Sequence, residues 1–492
     1  MADSEETRKR GLAERVTGAV IWRSGSQIAA QIVMWTATII VVRLLEPQDY
    51  GLFAMTQVVL VIFNFLNGYS FASSLIQADS VDERRIAQVF GLLILLNVGL
   101  AALQFLTAPL AAAYFRQPII ADMLRVQTLL YLATPFIALP SALLARGLDF
   151  KNQAKANMAA AVAGAATALG CAYSGFGLWT LVVTPIVMFG VRAIGLTLAA
   201  RLLVWPSFDF RGAGHVLTFG GALMLCQLFW IVQSQADIFI AGRMLSAHEL
   251  GLYAEALFLT QIFTSKFIPP LNEVAFPAYA ELGKRDGVIR DAFATSVRMT
   301  MFVACPLYLG MAATAGPLVA TLFGPKWLEM IPLVAMLAIA MPFFAMQIIF
   351  SPATNALGRP GIYVRTSLVN AIVMTSAFAI GAQYGVRGLT YAWLVGAPLM
   401  LLSTIALSRR AIGTSWSAVA DAVWPSACAA ALMAVAVHQL GARLDGLPPP
   451  AQLALLVPLG GALYLGLHWL FDRRSIADLY RMVVTRRLPS AA

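Results

Sequence analysis

Charge is what this sequence lacks most. Of its 492 residues, 12% are Asp, Glu, Lys or Arg, where soluble domains carry about a quarter. Hydrophobic residues make up 60%. That deficit is too large for a soluble core, so the chain reads as an all-α polytopic membrane protein. Acidic residues are the scarcer sign, 24 against 34 Lys and Arg, for a formal charge of +10. Cysteine is sparse: Cys171, Cys226, Cys305 and Cys428 fall in apolar segments, without metal-ligand or disulfide spacing. The four histidines, His215, His248, His438 and His468, are scattered, and no His/Glu/Asp cluster has metal spacing. No metal or other cofactor is therefore expected. A phosphate-binding glycine loop is missing, which excludes a built-in ATPase. No extramembrane segment is long enough for a domain. A membrane glycosyltransferase or polymerase, which would present catalytic carboxylates on a sizeable external loop, is thereby disfavoured. A transporter, not an enzyme, is the expectation.

Long apolar runs are what the sequence has in abundance. A bilayer core about 30 Å thick needs roughly 20 helical residues. Fourteen such segments are expected, beginning with span 1 at 17–44 and span 2 at 50–76, with span 7 at 215–241 and span 8 at 251–280, and ending at 451–471. Tight turns are expected at 174–176 and 384–387. Loop charges test the layout. One set of loops and both ends hold 24 Lys and Arg, and the opposite set holds seven: Arg43, Arg116, Arg125, Arg243, Lys326, Arg387 and Arg443. Cytoplasmic loops carry the excess of Lys and Arg, so both termini are assigned to the cytoplasm. The same asymmetry explains the basic balance without nucleic acid as a partner. Only Arg23, Arg192 and Lys266 fall within spans, and Arg192 reads as snorkelling toward the interface. Trp22, Tyr50, Trp179, Trp327, Trp416 and Trp469, near span ends, read as interfacial anchors.

A twelve-residue stretch is written twice. Residues 43–54 read RLLEPQDYGLFA and residues 243–254 read RMLSAHELGLYA, at a constant offset of 200. Each copy joins one span to the next. Asp49 and Glu249 sit where a carboxylate can cap the following helix. The repeat divides the chain into an N-terminal segment 1–16, an N-lobe of six helices (17–200), a C-lobe of six helices (213–407), two added helices (417–471) and a tail (472–492). Six spans per lobe is an even number, so the lobes are parallel repeats.

Polar residues in spans 1, 2, 7 and 8 are the candidates for chemistry. Lys266 lies about fifteen residues from each end of span 8. At the membrane centre a cation costs about 2.5–3.5 kcal/mol even on insertion scales. Pro269 and Pro270 follow it and leave the Ser265 and Lys266 carbonyls without helical donors. A kink is therefore predicted beside the cation. At ideal helical spacing Glu255, Lys266 and Glu273 share one face. The alternative is structural, an ion pair of Lys266 with Glu273 or with Asp237. Arg23, Gln27 and Gln31 form a polar stripe on span 1. Asn64 on span 2 and Gln227 and Asp237 on span 7 complete a set consistent with a polar cavity. These could equally act as polar glue between helices.

Several stretches carry a family resemblance. They are the charged N-terminus with Arg and Gln in span 1, RLLEPQDYGLF leading into span 2 and SSLIQ, FGPKW at 323–327, and ALGRPGIYVRTS at 356–367. In this order they resemble the polysaccharide-transporter branch of the multidrug/oligosaccharidyl-lipid/polysaccharide exporter superfamily, the O-antigen and colanic-acid type flippases. The resemblance covers about residues 10–410. It implies a MATE-like fold, two six-helix lobes around a central cavity that works by alternating access. The substrate implied is an undecaprenyl-pyrophosphate-linked oligosaccharide, flipped across the bacterial inner membrane for exopolysaccharide or lipopolysaccharide synthesis. A polysaccharide polymerase and a chain-length regulator would be partners. Cations on spans 1 and 8 would hold the pyrophosphate, which falls to Arg23 and Lys266. A drug/cation antiporter of the same fold is the alternative. It needs a net acidic cavity, which Asp237, Glu255 and Glu273 could supply and Arg23 and Lys266 oppose.

Overall fold

A computed structural model describes residues 25–68, 71–72, 75, 82–147, 149–202, 204–209, 229, 231–282 and 288–472. The described residues form helices and turns, with no strand among them. The chain clusters into two compact units, Met1–Gln227 and Leu228–Ala492.

In the first unit the long helices are α1 (Gly25–Leu44), α2 (Pro47–Phe65), α3 (Glu83–Phe115), α4 (Ile119–Arg146), α5 (Phe150–Tyr173) and α6 (Trp179–Ala199). α4 bends at Thr134. There Pro135 cannot donate to the Tyr131 carbonyl. The core joins α3 to α4 through Val89, Phe90 and Leu93 against Ala138, Leu139 and Ala142. A second cluster, Ile137, Leu144, Ala156, Ala193 and Leu196, ties α4 to α5 and α6. α5 is rich in alanine, and Ala156 faces Gly195 of α6 closely. Small residues of this kind let membrane helices approach where no hydrophobic force drives them together.

The second unit holds α7 (231–244), α8 (Ala247–Lys266), α9 (Ile268–Leu282), α10 (Val288–Ala313), α11 (Ala315–Leu322), α12 (Ile331–Ile348), α13 (Phe350–Ala356), α14 (Pro360–Gly381), α15 (Gly385–Ile412), α16 (Trp416–Gly441) and α17 (Pro449–Phe471). α14 and α15 form a tight hairpin that reverses at Gly385, whose φ of 75° suits glycine. α12 packs on α8, α10 and α15, while α16 lies on α10 and α17 on α16 and α11.

Among the described residues, ten helical segments are long and apolar enough to cross a membrane, and the longest, Gly361–Ile412, contains both α14 and α15. The protein is thus an all-helical, multi-pass membrane protein. Spans 2, 7 and 8 fall outside that set. α2 carries polar residues, α7 is described only from 231, and the proline pair divides span 8. Two expected anchors are corrected: Tyr50 is buried in the first turn of α2, and Trp327 is fully buried against Phe323. Trp327 packs in the short 3-10 helix Pro325–Met330, which opens on Pro325.

The duplicated stretch folds alike twice. α1 ends at Leu44 and α2 starts at Pro47; α7 ends at 244 and α8 starts at Ala247. The Glu46 N–H donates to Asp49 Oδ2 at 3.1 Å, and the Ser246 N–H donates to Glu249 Oε2 at 3.1 Å. In the second copy Ser246 Oγ also accepts from the Glu249 N–H at 3.2 Å. Each acidic residue at the third helical position thus satisfies a backbone donor that the helix cannot.

Candidate functional site

Local sequence dictates the break in span 8. α8 stops at Lys266, Phe267 is a turn, and α9 restarts at Ile268. Pro269 and Pro270 fall in the first turn of α9, where their missing N–H groups cost little. The last turn of α8 therefore ends on carbonyls without helical partners. Lys266 sits at that negative end of the helix dipole, which favours a cation. Phe267 stacks on Phe263 across the break with ring centroids 5.3 Å apart, and Tyr308 of α10 meets Phe263 edge-on at 5.8 Å. This aromatic column fixes the direction in which the chain leaves α8.

The helix also gives the cation a depth. Lys266 lies about 28 Å along the axis from Ala247, at 1.5 Å per residue. α8 begins at the partly exposed Ser246–Glu249 cap. An upright α8 would carry Lys266 across most of a core about 30 Å thick. In that orientation Lys266 would be nearer the far headgroup layer than the bilayer centre. Glu255, about 12 Å along the same helix, is the deeper charge.

The remaining candidates are distributed as follows. Lys266 and Glu273 are exposed and Glu255 is half-buried. Among the described residues none of the three has an ion-pair partner, so the Lys266–Glu273 and Lys266–Asp237 pairs are not formed. On α1, Gln27 is exposed and Gln31 half-buried; on α2, Asn64 is exposed. Arg23 and Gln227 lie outside the described residues.

Asp237 on α7 is 2% exposed, and both its oxygens are occupied. Oδ1 accepts from the Ile238 N–H at 2.8 Å, and Oδ2 accepts from the Tyr253 hydroxyl at 2.8 Å. The Trp393 indole N–H of α15 donates to the Tyr253 oxygen at 2.8 Å. Three helices, α7, α8 and α15, are thereby tied by one buried polar chain. The corresponding positions of the first copy are Ala37 and Phe53. Sequence reading missed Tyr253 and Trp393, although the Phe53-to-Tyr253 difference within the repeat was a signal. Arg192 was assigned to the interface; it is half-buried on α6 and its Nε has no acceptor.

A duplicated helical corner, a proline-broken span ending on an unpaired lysine, and multi-pass topology define an all-helical membrane protein of the MATE-like architecture. The chain belongs to the polysaccharide biosynthesis protein family, whose match covers residues 40–332. It is 24% identical over 495 residues to the succinoglycan biosynthesis transport protein ExoT of Rhizobium meliloti (strain 1021), covering 98% of each chain. It is 22% identical over 424 residues to the lipopolysaccharide biosynthesis protein WzxC of Escherichia coli (strain K12), covering 84% of this chain and 85% of that one. In fold it resembles the lipid II flippase MurJ in an inward closed conformation, with a TM-score of 0.75 at 11% identity, over 93% of this chain and 100% of that one. An inward-facing multidrug resistance MATE family transporter gives a TM-score of 0.61 at 15% identity, over 80% of this chain and 98% of that one. The resemblance read in the sequence therefore holds for family and fold.

Proposed function

We propose that this protein is a flippase for lipid-pyrophosphate-linked oligosaccharides, working by alternating access in the bacterial inner membrane with both termini cytoplasmic. The observation that carries this reading is Lys266, an unpaired cation at a helix end where the helix itself breaks. A pyrophosphate travels at headgroup level, and an upright α8 would carry Lys266 toward that level. Arg23 on span 1 is the second proposed pyrophosphate contact. Gln27, Gln31, Asn64, Gln227 and Glu273 would face the sugars, with Glu255 deeper on α8. Asp237 would act through Tyr253 rather than by touching substrate. A polysaccharide polymerase and a chain-length regulator are the proposed partners downstream.

Polysaccharide export in cells carrying only the variant protein tests the headgroup role. Lys266→Ala abolishes export, while Lys266→Arg, which keeps the charge in a different donor geometry, retains part of it. Normal export by the Ala variant at parental protein levels would overturn the proposal. The antiporter reading draws support from one observation, the unpaired carboxylates Glu255 and Glu273. If Glu255→Gln abolishes resistance to cationic drugs while Lys266→Ala leaves it intact, that reading replaces the flippase.

A further inference from the structure

The stretch that leaves α6 does not wander. Arg201 closes the helix with φ of 49° and its N–H donates to the Leu198 carbonyl at 3.2 Å. Leu202 packs on the α3–α4 core cluster. Residues 204–209 then cross the start of α3. The Ser207 N–H donates to the Ala87 carbonyl at 2.9 Å, and Gln88 Nε2 donates to the Asp209 carbonyl at 2.8 Å. Arg84 pairs with Asp209 at 3.3 Å. Gly91 forms the floor of this crossing: a Cβ there would collide with the Ser207 carbonyl. Four contacts to consecutive turns of α3 fix the strap from one side.

The other side of the strap is aromatic. Trp205 is 87% exposed and Phe208 is 57% exposed. Leaving two large rings bare on a segment so firmly held has a cost in water, at about 25 cal/mol per Å² of apolar surface. The rings continue a stripe of exposed apolar side chains, Ile194 and Leu198, that runs down α6 to the strap. α6 is one of the helices long and apolar enough to span the membrane, and an exposed apolar stripe on such a helix suits a lipid-facing position. Tryptophan collects where such a surface meets the headgroups. The exposed Arg201 and the Arg84–Asp209 pair lie at the same helix ends, and their charges suit the polar side of such a boundary.

We propose that residues 205–209 form a membrane-interface docking surface, held against α3 through the Gly91 notch so that Trp205 and Phe208 sit in the lipid headgroup layer. The occupant is the polar–apolar boundary of the bilayer itself. The α3 contacts set the depth of the rings, and the rings pin this end of the first unit to the membrane plane.

The test uses the full-length protein in vesicles of phosphatidylethanolamine and phosphatidylglycerol, with the native cysteines replaced by alanine. A nitroxide is attached at Trp205→Cys or Phe208→Cys, and its collisions with oxygen and with a water-soluble nickel chelate are compared. Headgroup-level depth at both positions is the expected result. Labels as accessible to nickel as a free nitroxide in buffer would overturn the proposal and point to a soluble protein partner instead. Gly91→Val, which fills the notch, should shift both labels toward water. Unchanged depth in that variant would overturn the role of the notch. Should Gly91→Val fail to fold, Arg84→Ala with Gln88→Ala releases the same strap without adding volume, and the same two outcomes apply.

Discussion

Removing the Tyr253 hydroxyl isolates the buried chain that ties α7, α8 and α15. Tyr253→Phe deletes the O–H donor to Asp237 and the acceptor for the Trp393 N–H, two bonds of 2.8 Å each. In soluble proteins, orphaning one buried group costs about 1–3 kcal/mol, more when a carboxylate is involved. Inside a bilayer, measured side-chain couplings average about 0.6 kcal/mol and reach about 1.7, because the unfolded chain finds partners in the membrane too. The lipid values govern here, so two lost bonds amount to about 1–3 kcal/mol. Thermal unfolding of the purified protein in detergent, followed by loss of the monodisperse chromatographic peak, should fall accordingly. The first copy of the repeat supplies the control. Asp237→Ala with Tyr253→Phe installs the residues found at Ala37 and Phe53. Without the carboxylate, the phenylalanine adds only the Trp393 N–H to the unmatched groups, since the Ile238 N–H loses its side-chain acceptor already in Asp237→Ala alone. The double variant should then be less destabilised than the two singles added together, by about 1 kcal/mol. Additive losses, or a Tyr253→Phe variant as stable as the parent, would refute the idea that these residues act as one unit.

Further outcomes follow from the corners and the break. Asp49→Ala and Glu249→Ala should destabilise by similar amounts, about 0.5–2 kcal/mol each, as capping residues do; a loss confined to one copy would refute their equivalence. Replacing Pro269 and Pro270 together by alanine restores donors to the Ser265 and Lys266 carbonyls. Thermal stability should hold or rise while export falls, and unchanged export would show that the break is dispensable.

Much of this was legible in the sequence because it is local. The offset of 200, the acidic residue at the third helical position and the proline pair each act within one turn of helix. They placed the corners at Asp49 and Glu249 and the break beside Lys266. Where α8 begins was less legible, because hydropathy marks a span without marking the corner at which its helix starts. Contacts at long range were invisible. Tyr253 and Trp393 are 140 residues apart and each reads alone as an ordinary aromatic. Gly91 looks like any membrane-helix glycine until Ser207, far along the chain, crosses it. Trp327 was misplaced for the same reason: position near a span end suggests an anchor, and only packing against Phe323 shows it buried.

The corner between α7 and α8 can also be read as a piece of machinery. A two-residue connector clamped by a reciprocal cap leaves little slack, so the two helices turn as one rigid crank. Lys266 is at the far tip of the α8 arm, about 28 Å from the pivot at the helical rise of 1.5 Å per residue. A rotation of about 5° at the corner would sweep the ammonium through roughly 2.4 Å over that radius. That is close to the difference between grasping an anion and letting it go. The proline break then does more than expose carbonyls: with no helical hydrogen bond from Pro269 or Pro270 back to α8, the tip is held to α9 mainly through the Phe263–Phe267 stack, and a small turn at the far end of the helix is delivered to the lysine.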